Sequence, residues 1–148
     1  DAGAYTYGHL LVWIAISLFV KHPEISAWAI FCIFFWPIMD TLGAILRRSV
    51  KRISIKKADY MHFHQLVMRF IVLSSRGRTS NKLANPLTTV LILPFCILVA
   101  FLGVSFLEDN FLSIITIMFS TTLFFGSYHL LIWLLRSNSF KKFKKKLP

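Results

Sequence analysis

The clearest indication of the fold comes from residues 86–107, PLTTVLILPFCILVAFLGVSFL, which contain no charged side chain. A helix needs roughly 20 mostly apolar residues to cross the hydrocarbon core of a bilayer. This stretch meets that requirement, and so does the apolar run that follows at residues 111–135. We therefore predict two adjacent transmembrane helices, joined by a short polar turn around Glu108.

Two more apolar stretches lie upstream, at residues 4–20 and 25–46. Hydrophobic residues make up 56% of the 148-residue chain and the mean hydropathy is +0.65, more than one soluble core of this size would hold. The sequence thus predicts an all-α fold, a polytopic transmembrane helical bundle with about four spans. Pro37 should kink or locally open the second span. Asn85-Pro86 should start the third span, as its N-cap and first helical residue.

The basic residues are distributed unevenly along the chain, whose net charge is +11. Of 17 Lys and Arg residues, ten lie in the loop at residues 47–85, six lie in the tail at residues 136–148, and Lys21 is the remaining one. Membrane proteins keep their basic loops on the cytoplasmic side. The loop, the tail and Asp1 should therefore face the cytoplasm, and the turns at Lys21 and Glu108 should face the other side. The tail suits anionic membrane lipids. Because topology explains the charge, no nucleic-acid partner is expected.

The basic loop contains Asp59-Tyr60-Met61-His62-Phe63-His64-Gln65. From Phe63 onward, apolar residues recur at helical spacing, which predicts an amphipathic helix along the membrane surface. His62 and His64 would share one face of an extended segment but not of a helix. We expect an extended His62-Phe63-His64 whose imidazoles reach one ligand, with Phe63 packed towards the membrane. The alternative is two surface histidines at headgroup level; zinc is less favoured, because no Cys or further His lies nearby.

The sequence allows two roles for each of two carboxylates, Asp40 and Asp59. Asp40 lies near membrane depth, where an ionisable group usually faces protein or water. It either serves the site or is a helix-end carboxylate paired with Arg47 or Arg48. Asp59 either contacts substrate or pairs with a basic neighbour such as Arg69, as lone loop carboxylates usually do.

Four short blocks occur in order along the chain. The blocks are Asp1-Ala2-Gly3-Ala4-Tyr5 with Gly8, then Pro37-Ile38-Met39-Asp40-Thr41, then Arg47-Arg48, then Asp59-x-x-His62-x-His64-x-Leu66-x-Met68-Arg69. This pattern closely resembles the polyprenyl-phosphate N-acetylhexosamine-1-phosphate transferases, above all the undecaprenyl-phosphate GlcNAc-1-phosphate branch, which also has two spans after the histidine motif. The resemblance covers most of the chain. It implies that the chain is the C-terminal part of a longer integral membrane enzyme and is inactive alone.

Members of that family transfer a sugar-1-phosphate from a UDP-sugar to a membrane polyprenyl phosphate and release UMP. The resemblance therefore implies a Mg²⁺-dependent transferase of the bacterial inner membrane whose site faces the cytoplasm. Its substrates would be UDP-N-acetylhexosamine and undecaprenyl phosphate, for peptidoglycan or O-antigen lipid intermediates. Asp1 matches the family's magnesium-site carboxylate, at a helix start that suits a metal-bound phosphate. His62 and His64 match its His-x-His-His motif, which lines the nucleotide-sugar site.

The expected substrate-binding residues are His62, His64, Arg69, Asp59 and Gln65, with Asp40 as a further candidate. Gln65 stands where the family usually has another His, and it can donate a hydrogen bond but carries no charge. Tyr60 stands where many relatives have Arg. The sequence also allows a homodimer.

The competing functions are a transporter segment and a non-catalytic lipid-binding module. A transporter should hold its charges near mid-membrane on broken helices, whereas here the polar residues cluster at the predicted cytoplasmic surface.

Overall fold

The computed structural model describes residues 2–51, 61–75 and 79–136 of the chain. Six α-helices lie within these ranges, and no β-strand occurs in them. The helices are α1 (Ala2–Lys21), α2 (Ala27–Ile33), α3 (Phe35–Lys51), α4 (Phe63–Ser74), α5 (Asn81–Ser105) and α6 (Asn110–Arg136). The predicted all-α fold is therefore confirmed for the part of the chain that the structure describes.

Two of the described helices are long and apolar enough to cross a membrane. They are α5, over Lys82–Ser105, and the whole of α6, and they correspond to the third and fourth predicted spans. Helices α2 and α3 are long and apolar enough to cross a membrane only if the two together form one bent span. The apolar part of α1, Tyr5–Lys21, has fewer than 18 residues and is therefore shorter than these candidate spans. Two or three helices are thus compatible with a membrane protein, and the count of four spans stays a prediction.

The predicted second span consists of two helices with a break at Phe34. α2 ends at Ile33 and α3 begins at Phe35, and the pair is bent by 81°. Pro37 explains where the break lies, because its ring lacks an N–H for the Ile33 carbonyl and would clash with it in a continuous helix. In α3, Pro37 lies in the first turn, where the missing N–H costs no helical bond. α3 then continues to Lys51, past the predicted end at residue 46.

α5 begins earlier than the sequence predicted. Its first residue is Asn81, and the Ser80 carbonyl accepts two backbone N–H groups of the first turn at 3.0 Å each. Pro86 therefore lies inside the helix, and the prediction that Asn85 is the N-cap is wrong. The additional turn buries Ala84 completely. This burial offsets part of the cost of the helical hydrogen bond that Pro86 cannot donate.

The chain divides into two compact units, and the first is Asp1–Phe35 with Leu98–Phe119. In this unit α2 packs closely on α5 at Gly103. A Cβ atom at Gly103 would lie 2.6 Å from the Cys32 Cβ atom and 2.9 Å from the Ala29 carbonyl oxygen. Both Ala29 and Cys32 are buried. Glycine is therefore required for the approach of the two helices, as at many helix contacts in membranes.

Ser26 joins two turns of the first unit. Its N–H donates to the Leu107 carbonyl at 2.7 Å, and its hydroxyl donates to Asn110 Oδ1 at 2.7 Å. The same hydroxyl oxygen accepts the N–H groups of Trp28 and Ala29 and so caps α2. The turn before α2 and the turn before α6 therefore lie at one end of this unit.

The second unit, Trp36–Ile97 with Ser120–Pro148, has an aromatic core. The ring of Trp36 makes edge contacts with Phe63, Phe95 and Phe124, at centroid distances of 5.1, 6.2 and 5.4 Å. Phe63 also stacks on Phe124 at 5.1 Å, and Tyr128 is 6.4 Å from Phe63. These five residues, which we call the aromatic cluster, come from α3, α4, α5 and α6. They fix the start of α4 against three longer helices.

Candidate functional site

The candidate site is built around the first residues of α4. His62 is the N-cap of this helix, with an extended backbone, but its side chain makes no capping hydrogen bond. Asp40 of α3 supplies the cap instead, because its Oδ1 atom accepts the Phe63 N–H at 3.1 Å. First-turn N–H groups have no helical partner, and a carboxylate beside them also interacts favourably with the helix dipole. A cap of this kind contributes about 1 kcal/mol to stability.

The second oxygen of Asp40 contacts the His62 side chain. Oδ2 lies 2.8 Å from Nδ1 of the imidazole. The side chains of Asp40 and His62 are 19% and 32% exposed, so the pair is partly shielded from water while the ring keeps an open edge. The sequence left the role of Asp40 open between the site and a pair with Arg47 or Arg48. The structure gives it a partner that neither interpretation named.

The two imidazoles lie side by side. The ring centroids of His62 and His64 are 5.9 Å apart, and the ring planes differ by 18°. The prediction of an extended His62-Phe63-His64 is wrong for its last two residues, because α4 begins at Phe63. The change from extended to helical backbone at His62 nevertheless turns both rings to one side. His64 is exposed, so the pair presents an accessible edge of imidazole nitrogen atoms.

The backbone on both sides of His62 is held by the second unit's core. Phe63 is 8% exposed, packed within the aromatic cluster. Rings of α3 and α6 bury it, so it packs against other helices, and its packing towards the membrane stays a prediction. On the other side, the Tyr128 hydroxyl donates to the Met61 carbonyl at 3.2 Å. The Arg47 guanidinium carbon lies 5.2 Å from the centroid of the Tyr128 ring, at cation–π distance.

Gln65 and Arg69 are one helical turn apart and lie on one side of α4. Gln65 was predicted to donate a hydrogen bond to substrate. Its Oε1 atom is buried and has no hydrogen-bond partner among the residues that the structure describes. Arg69 is exposed, and its guanidinium is accessible to an anionic ligand.

Several predicted residues lie outside the described ranges. These include Asp1, Asp59 and the tail beyond Arg136. Within the described ranges, no group of three or more His, Cys, Asp or Glu residues is arranged to hold a metal ion. The magnesium site at Asp1 and the substrate contact of Asp59 therefore stay predictions.

Sequence reasoning did not identify Tyr128 or Trp36 as residues that hold the site. A signal for both was present in the helical spacing. Trp36, Asp40 and Arg47 are four and seven residues apart and therefore lie on one face of α3. Phe124 and Tyr128 are likewise four residues apart on α6. These two faces meet the start of α4.

Comparison of the chain with protein-family models, with curated proteins and with solved structures found no match. What the chain does must therefore be inferred from the chemistry of the described residues and from the pattern of the sequence motifs.

Proposed function

We propose that the chain belongs to a membrane transferase that moves an N-acetylhexosamine-1-phosphate from a UDP-sugar to a polyprenyl phosphate and releases UMP. The main support for this proposal is the pair of nearly parallel imidazoles, His62 and His64, at the start of α4, where Asp40 contacts the ring of His62. Arg69 lies farther along the same helix with an exposed side chain. Such a group of donors suits a diphosphate, whose oxygens accept several hydrogen bonds and carry negative charge.

The location of the pair favours a reaction between a soluble substrate and a membrane-bound one. The histidines lie in the long basic segment between two apolar regions, and 16 of the 17 basic residues lie in that segment or in the tail. The positive-inside rule assigns this side to the cytoplasm, where nucleotide sugars are found. A polyprenyl phosphate presents its headgroup at the same surface. The site would thus meet a soluble donor and a lipid acceptor together.

In this proposal, Asp1 is the only residue that is assigned to bind Mg²⁺. The described residues do not form a metal site by themselves, so their role is to bind and orient phosphate oxygens. When bound, Mg²⁺ would neutralise diphosphate charge. The contribution assigned to His62, His64 and Arg69 does not depend on where the ion lies.

The direct test is UMP release by membranes that contain the full-length protein. UDP-N-acetylglucosamine and UDP-N-acetylgalactosamine are supplied separately, each with and without undecaprenyl phosphate. We expect UMP release that requires one of the UDP-sugars and the lipid acceptor together. If no UMP appears, while the protein binds vesicles of anionic phospholipid in a salt-dependent manner, the lipid-binding module replaces the transferase.

Asp1→Asn should lower turnover in the full-length protein by about a hundredfold, the scale of a lost electrostatic contribution to catalysis. Asparagine keeps the size of the side chain but removes the negative charge that a hard cation prefers. The measurement is the rate of UMP release as Mg²⁺ is varied. Asp109→Asn, at an exposed acid in the turn before α6, is the control and should behave as wild type. Near-normal turnover of Asp1→Asn with ordinary Mg²⁺ dependence would remove Asp1 from the site.

The topology can be tested with single cysteines in a variant that lacks Cys32 and Cys96. In intact cells, His64→Cys should resist a membrane-impermeant maleimide and react only after the membrane is opened, because the basic segment is predicted to be cytoplasmic. Glu108→Cys is the matched control, since its turn is predicted to face outwards, and it should react in intact cells. Labelling of position 64 from outside would contradict the proposed site.

A further inference from the structure

Asp40 uses its two carboxylate oxygens for two different contacts. Oδ1 accepts the Phe63 backbone N–H at 3.1 Å, and Oδ2 lies 2.8 Å from Nδ1 of His62. An ionised carboxylate has only acceptor sites, so the hydrogen between Oδ2 and Nδ1 must belong to the imidazole. The neutral His62 ring that fits this geometry is the tautomer with its hydrogen on Nδ1 and its lone pair on Nε2.

We propose that Asp40 is a positioning residue, which fixes the tautomer and orientation of His62 so that Nε2 meets the phosphate-bearing substrate; this inference rests on the proposed transferase function. In the neutral ring Nε2 accepts a hydrogen bond, and in the protonated ring it donates one to a phosphate oxygen. In both forms the Nδ1–H group of His62 donates to Asp40 Oδ2. Carboxylates orient functional histidines in the same way at metal and catalytic sites.

The surroundings of His62 restrict the ring to this orientation. Asp40 contacts one edge of the ring, and the His64 ring lies alongside it at a centroid distance of 5.9 Å. The backbone cannot turn away, because Phe63 is buried and the Met61 carbonyl is bonded to Tyr128. A ring held on these sides leaves Nε2 as the nitrogen that a ligand can reach.

Asp40→Asn separates positioning from capping. The asparagine carbonyl oxygen can still accept the Phe63 N–H, which orients the amide and turns its NH₂ group towards Nδ1 of His62. Because an NH₂ group donates, Nδ1 must then accept, and the hydrogen moves to Nε2. Asp40→Ala removes both contacts and therefore also removes the cap of α4. A purely structural Asp40 would be replaced well by asparagine, whereas a positioning Asp40 would not.

The tautomer is measured by NMR on full-length protein labelled with ¹⁵N-histidine in lipid bicelles, at a pH where the ring is neutral. The His62 signals are assigned by their loss in His62→Gln. We expect the Nδ1–H tautomer in the wild type and the Nε2–H tautomer in Asp40→Asn. Asp109→Asn is the matched control, because Asp109 also caps a helix, through the Leu112 N–H at 2.9 Å. It should leave the His62 signals unchanged.

The same variants are compared in the UMP-release assay. Asp40→Asn should lower kcat by about 10- to 100-fold, the range found when a metal-bound histidine loses the partner that orients it, while Asp109→Asn keeps wild-type kcat. An unchanged His62 tautomer in Asp40→Asn, or a switched tautomer with unchanged kcat, would overturn the positioning role. If the wild type releases no UMP, the proposed function fails. In that case the tautomer measurement still decides whether Asp40 orients His62.

Discussion

Gly103→Ala should destabilise the first unit by about 1–3 kcal/mol, the usual cost of forcing extra atoms into a packed interface. The added Cβ would lie 2.6 Å from the Cys32 Cβ atom and 2.9 Å from a backbone carbonyl oxygen. Neither neighbour is the flexible end of a side chain, so α2 and α5 must move apart. The better helix propensity of alanine returns at most about 1 kcal/mol.

The thiol of Cys32 can be used to measure the stability of this contact, because Cys32 is buried there and becomes reactive only when the helices separate. In a Cys96→Ser background, the reaction of Cys32 with a fluorogenic maleimide during heating in detergent gives the temperature at which the unit opens. Gly126→Ala is the matched control, since nothing lies within 4 Å of a Cβ atom at that position of α6. It should open at the wild-type temperature or slightly above. Equal opening temperatures for Gly103→Ala and Gly126→Ala would contradict the close contact.

His62→Ala and His64→Ala should each lower UDP-sugar turnover by about 10²–10³-fold, as when a preorganised donor to a developing charge is lost. Because the rings lie side by side and are proposed to act on one diphosphate, the double variant should lose less than the product of the two single effects. The measurement is kcat/KM for UMP release by full-length protein. The variants must also show normal insertion, since neither ring lies in the aromatic cluster.

Two further variants serve as controls for the histidines. Gln65→Ala should cost less than either histidine change, because the buried Gln65 Oε1 has no partner to lose among the described residues. His22→Ala removes an exposed imidazole that pairs with Glu24, and should leave turnover unchanged. Histidine variants with wild-type UDP-sugar binding and turnover would make the basic segment a solvated surface and would favour the lipid-binding module.

The parts of the fold that follow from composition and period were predictable. Long apolar runs led to α5 and α6, and the helical spacing of apolar residues from Phe63 onward predicted α4 and its apolar face. In the structure Phe63, Leu66 and Val67 of that face are buried. Element boundaries were less predictable, because they depend on contacts distant in sequence. Asn85-Pro86 has a typical helix-start sequence, yet burial of Ala84 extends α5 by a further turn. Local propensity contributes less than tertiary packing at such positions.

For the candidate site, the sequence motifs predicted which residues matter but not how they contact one another. His62 and Asp40 were both candidates, and 22 residues separate them, so no local rule links them. The helix cap of α4 comes from another helix, which N-cap rules based on neighbouring residues do not cover. The position of His64 was missed for the same reason, because the first helical residue is set by Asp40 and the buried Phe63.

The bond from Tyr128 to Met61 has a consequence for biosynthesis. A chain emerges from the ribosome N-terminus first, and Tyr128 follows Met61 by 67 residues. While α6 is still being made, the segment before α4 lacks this bond, and Phe63 lacks its stacking partner Phe124. The histidine pair is therefore synthesised early but fully positioned late, after the last described helix has been made. A nascent chain that stops before α6 would carry both histidines and their Asp40 contact but would lack the contacts of Phe124 and Tyr128.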